Sequence, residues 1–103
     1  MPAVSVALLA TSEGGRATSV GMQGARWRPH LRVPASPELL GVVFTFGGGP
    51  EEVEPGSQCE AVAVLVYTST GVDYSVLQPG VTAEIVEGTH VVGTARVVDL
   101  LGT

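Results

Sequence analysis

The sequence has no lysine at all and a single cysteine, Cys59. The missing lysine excludes a P-loop lysine, a Schiff-base lysine and a lysine general base together. GGGP at residues 47–50 therefore reads as a turn. One cysteine makes neither an internal disulfide nor a cysteine-based zinc cluster, so Cys59 reads as a small core side chain. No apolar run approaches the ~18 residues of a membrane-spanning helix. The opening MPAVSVALLATSEGG lacks the basic start and cleavage context of a secretory signal, so a cytoplasmic protein with no membrane partner is expected. Charge is sparse too, at 15% of residues, against 45% hydrophobic. Such a chain has the apolar surface to fold alone, and 103 residues allow one domain.

What charge there is divides unevenly. Residues 1–33 hold Arg16, Arg26, Arg28 and Arg32 against Glu13, a net of +3. Residues 34–103 hold Arg96 against nine carboxylates, a net of −8. The total of −5 disfavours nonspecific binding to a phosphate backbone by the molecule as a whole.

The apolar pattern has period two. Val4, Val6 and Leu8 alternate with Ser5 and Ala7, and Leu31 and Val33 turn inward while Arg28, His30 and Arg32 turn outward. Val42, Phe44 and Phe46 share a face. The stretch 58–67 is polar at first and then apolar on both faces, as in a strand entering a covered region. Gln78-Pro79-Gly80 predicts a type II turn. Two final strands follow, with Val81, Ala83 and Ile85, then Val91, Gly93, Ala95 and Val97, facing inward. Small residues at 93 and 95 suggest close backbone approach. One helical turn is suggested by SPELLG at 36–41. Six or seven short strands in so few residues mean an all-β antiparallel barrel or sandwich, and closure as a barrel removes the edges that AVAVLVY would expose.

The stretch EGGRATSVGMQGARWRP at 13–29 shows no hydrophobic period. Glu13-Gly14-Gly15-Arg16-Ala17-Thr18, then Gly24-Ala25-Arg26-Trp27-Arg28-Pro29-His30-Leu31, resembles the EGGR-x-T…G-Y-R-P-x-F stretch that opens the C-terminal barrel domain of elongation factor Tu. VEPGS at 53–57 is similar to the family's V-x-P-G-D, LQPG at 77–80 lies near its E-x-G-L-x-F, and VEGTHVVG at 86–93 resembles REGGRTVG. The resemblance covers nearly the whole chain and implies a closed six-stranded antiparallel β-barrel. In the full factor that domain packs on the GTPase domain, helps hold the T stem of aminoacyl-tRNA and contacts the exchange factor. The chain has no GTPase domain, so GTP hydrolysis is not implied. At the positions that face tRNA in the family, Glu87 and Gly88 match, whereas His30 stands for glutamine and Val86 and His90 stand for arginines.

The candidate binding residues are thus Arg16, Arg26, Trp27, Arg28, His30, Arg32, Glu87 and Gly88. The arginines either grip phosphate or an acidic partner, or pair with downstream carboxylates and solubilise one barrel end. Trp27 is either a stacking platform or a lid over that end. No GxSxG, HxH or HExxH spacing is present, so no catalytic residue, metal site or cofactor is expected. The expected function is a non-enzymatic binding module for a protein partner, of the translation apparatus in one version, or for a structured RNA such as tRNA. The alternative is a factor-mimicking immunity or decoy protein, or an assembly subunit, using the acidic second half.

Overall fold

The computed structural model describes residues 2–18, 20–21, 27–34, 39–45, 52–65 and 74–100. They form eight strands: β1 (Pro2–Leu8), β2 (Val20–Gly21), β3 (His30–Arg32), β4 (Leu40–Thr45), β5 (Glu52–Val53), β6 (Gln58–Leu65), β7 (Thr82–Glu87) and β8 (His90–Leu100). A 3-10 turn, Thr11–Glu13, follows β1. Six strands close into a barrel in the order β1-β6-β4-β3-β7-β8, every pair antiparallel. The other two, β2 and β5, pair with each other.

Alternation fills the barrel. Val4 and Val6 on β1, Leu31 on β3, Val42 and Phe44 on β4, Ala63 on β6, Ala83 and Ile85 on β7 and Ala95 and Val97 on β8 are buried in one core. Each valine, leucine, isoleucine or phenylalanine among them contributes about 1.5–3 kcal/mol when fully buried. The pairing of β1 with β8 runs from Pro2 opposite Leu100 to Leu8 opposite Gly93 and completes the cylinder. Closure leaves neither terminal strand as an open edge along that ladder. Phe46 lies outside the described residues.

Two expectations are corrected. Val92, not Val91, faces the core, because the β7–β8 register shifts between Ile85 and Val86: Ile85 is opposite Gly93 and Val86 opposite Val91. The extra β8 residue is a bulge, which reverses the facing of the strand end. Leu40 and Gly41 belong to β4, with Gly41 opposite His30, so the suggested helical turn gives way to strand pairing there. Residues 36–38 lie outside the described residues.

The turn at Pro79–Gly80 is as expected. Val81 N–H donates to the Gln78 carbonyl at 3.0 Å, and Gly80 has φ 93°, the left-handed value a type II turn requires. Gly93 meets the other prediction, close approach: a Cβ there would lie 2.4 Å from the Ala7 carbonyl oxygen. Gly93→Ala should therefore lower unfolding free energy by roughly 2 kcal/mol in urea denaturation, the scale of overpacking; an unchanged midpoint would contradict the close β1–β8 contact.

Cys59 packs against the core while keeping partial exposure. Burial raises its thiol pKa from 9.0 to about 11. The fold thus favours the protonated thiol, and the associated stabilisation, complete below pH 9, is lost as pH rises towards 11. At pH 8 the thiolate fraction is about a hundred-fold lower than in the unfolded chain, so Ellman's reagent should react correspondingly more slowly with native protein than with protein in urea. Equal rates would show a fully solvated thiol.

Candidate functional site

The opening stretch is held by polar ties. Glu13 Oε1 accepts from Ala10 N–H at 3.2 Å and Thr11 Oγ1 donates to the Arg16 carbonyl at 2.7 Å, which folds residues 10–16 back on themselves. Gly14 takes a left-handed φ, whereas Gly15 is required by its closeness to the Leu9 carbonyl rather than by φ. Farther on, Val20 pairs with Val53, a core residue.

The strongest ties reach β7 and β8. Arg16 Nη1 forms an ion pair with Glu87 Oε2. The same oxygen accepts from Trp27 Nε1 at 2.9 Å. His90 Nε2 donates to the Gly14 carbonyl. Gly88, with φ 63°, makes the tight β7–β8 turn that sets Glu87 opposite His90. Trp27 is only 6% exposed, with its ring centroid 5.0 Å from that of Phe44 at 34°. Its lid reading is therefore the one the packing supports: the faces lie in the core and the indole N–H is engaged.

A second group lies along β3. Backbone bonds from Val42 N–H to Pro29 and from Phe44 N–H to Trp27 extend the β3–β4 pairing back to Trp27. Arg28, His30 and Arg32 then project outward at alternate positions, Arg28 exposed and the other two half-buried. Arg32 donates to Glu84 Oε1 through Nε at 3.0 Å and Nη2 at 2.8 Å, because β3–β7 pairing sets the two residues opposite each other. Val86, opposite His30, and Val43, which the extended register places beside Arg28, are buried although alternation turns them outward. The protein itself thus covers these two valines.

The structure brings Arg16, Trp27, Glu87 and Gly88 together at one barrel end and aligns Arg28, His30 and Arg32 on one strand; no described hydrogen bond or ion pair links the two groups. Arg26 lies outside the described residues. The charge division of the sequence is not kept in space, since Glu84 and Glu87 from the acidic part meet Arg32 and Arg16. Sequence reasoning missed the double acceptor role of Glu87, and no local signal announces a contact 60 residues distant. Among the described residues no cluster of three or more His, Cys, Asp or Glu is placed to hold a metal ion. No helix among them is long and apolar enough to cross a membrane. No family model matches the chain, and no curated protein matches it.

Because Trp27 is the sole tryptophan, its fluorescence reads the tie directly. Glu87→Ala leaves the indole N–H without its acceptor and should cost about 1–3 kcal/mol. The emission should shift to the red and become more quenchable by iodide. Wild-type emission with an unchanged urea midpoint would refute the tie.

Proposed function

We propose that this barrel is a non-enzymatic binding module that takes a protein partner on the face built by residues 16–32. The observation that carries the reading is the outward row Arg28, His30 and Arg32 at alternate positions of one strand. Charged groups on a rigid strand suit recognition, because little backbone order remains to be lost on binding. The ties at Glu87 serve this role by positioning the segment, with Arg16, Trp27 and Gly88 as parts of the support.

A protein is favoured over RNA by charge. Arg16 and Arg32 are each compensated by a carboxylate, Val86 and His90 stand where the resembling family has arginines, and the molecule carries −5. The resemblance to the elongation factor Tu barrel directs the search to the translation apparatus in the cytoplasm.

The test is affinity capture from the native host with wild type, Arg26→Glu/Arg28→Glu and Glu51→Lys/Glu52→Lys, alongside a tRNA titration at about 50 mM salt, where phosphate contacts are strong. The first double variant should lose the partner and the second keep it, with no tRNA binding. The reverse pattern would move the contact to the acidic half. Micromolar tRNA binding that falls steeply with salt would replace the protein reading with an RNA one.

A further inference from the structure

The arginine farthest from the basic segment in sequence lies on its face in space. Arg96 on β8 is opposite Thr82 on β7, two residues from Glu84, and Glu84 is opposite Arg32 on β3. Ala95 and Val97 are buried, so Arg96 turns outward with Arg28, His30 and Arg32. Among the described residues, Arg28 and Arg96 are exposed and make no hydrogen bond or ion pair with one another or with any described group. Arg32 stands between them, neutralised through one oxygen of Glu84.

Strand geometry sets the spacing. Arg28 and Arg32, four residues apart, are separated by about 13 Å at Cα, and Arg32 and Arg96, two strands across and two residues along, by about 12 Å. An extended chain covers this ~25 Å arc in seven or eight residues. At the Arg96 end the outward surface carries Val98, 51% exposed, while the register shift between Ala3 and Val4 sets Leu100 opposite buried Pro2, on the inward side.

We infer that the outward face of β3, β7 and β8 docks an extended acidic segment of a protein partner, with Arg28, Arg32 and Arg96 as its charge contacts and Val98 as an apolar ledge. The inference rests on the partner-binding reading above and adds the partner's chemistry and a residue outside the 16–32 segment. Unpaired guanidinium groups call for an anion. The carboxylate of Glu84 at the centre and the aliphatic Val98 at one end suit a peptide, with few negative charges and an apolar residue, better than a continuous phosphate backbone, which carries a charge on every unit and no aliphatic group.

A fluorescein-labelled nine-residue peptide with aspartate at positions 1, 5 and 8 and leucine at position 9 provides the probe. It is compared in anisotropy titrations with the same residues permuted so that the aspartates are contiguous, and with a nine-nucleotide oligouridylate. The spaced peptide should bind tightest, and Arg28→Ala and Arg96→Ala should each weaken it about two- to five-fold, the scale of one exposed ion pair. Glu60→Gln, on exposed β6 surface, should not weaken it. If Arg28→Ala weakens binding and Arg96→Ala does not, the extended surface is wrong while the partner-binding reading stands. If neither variant changes it, both fall. Equal binding of the permuted peptide refutes the spacing, and tighter binding of the oligouridylate refutes the peptide chemistry.

Discussion

A single carboxylate oxygen, Glu87 Oε2, accepts from both the Arg16 guanidinium and the Trp27 indole. These donors lie 71 and 60 residues away in sequence, at the two ends of a segment with no hydrophobic period of its own. A strand or amphipathic helix fixes itself by burying a regular apolar face; this segment has none to bury. Among its described residues it is tied by point contacts instead: Glu87 makes two of them, and His90 makes a third to the Gly14 carbonyl. With Trp27 fixed against Phe44, the chain enters β3 in register, and the outward row that follows is set by alternation alone.

Register also decides the electrostatics. The sequence carries its positive charge early and its negative charge late, yet β3–β7 pairing sets Arg32 against Glu84, and the turn at Gly88 brings Glu87 to Arg16. Compensating these two arginines removes much of the positive field that would attract nucleic acid. Among the described residues, the arginines that remain exposed are Arg28 and, from the far end of the chain, Arg96. The face thus carries a few separated charges beside exposed Val98, and such separated charges recognise spacing better than bulk charge.

Features governed by neighbours in sequence were legible. Alternation identified Val4, Val6, Leu8, Leu31, Val42, Phe44, Ala83 and Ile85 as interior, Pro79-Gly80 announced its turn type, and Gly93 announced close approach. Features governed by register were not. The bulge that turns Val92 inward arises from the misfit between β7 and β8, and the local capping signal at 36–41 yields at Leu40 and Gly41 to pairing with β3. Arg16, Trp27 and Glu87 were named as candidate binding residues, and their mutual contact was not legible because they converge only when the barrel closes. Arg96 was not among the candidates for the same reason: Arg32, its neighbour on the face, is two strands and 64 positions away.

The tie at Glu87 is the central claim, and a double-mutant cycle of Arg16→Ala and Glu87→Ala in urea unfolding tests it most directly. The two side chains are 24% and 30% exposed, so their interaction is partly shielded from solvent. A coupling energy of about 1 kcal/mol, falling with added salt, is the predicted result. Strict additivity of the two single variants would contradict the account, because it would mean that Glu87 and Arg16 do not hold the segment together.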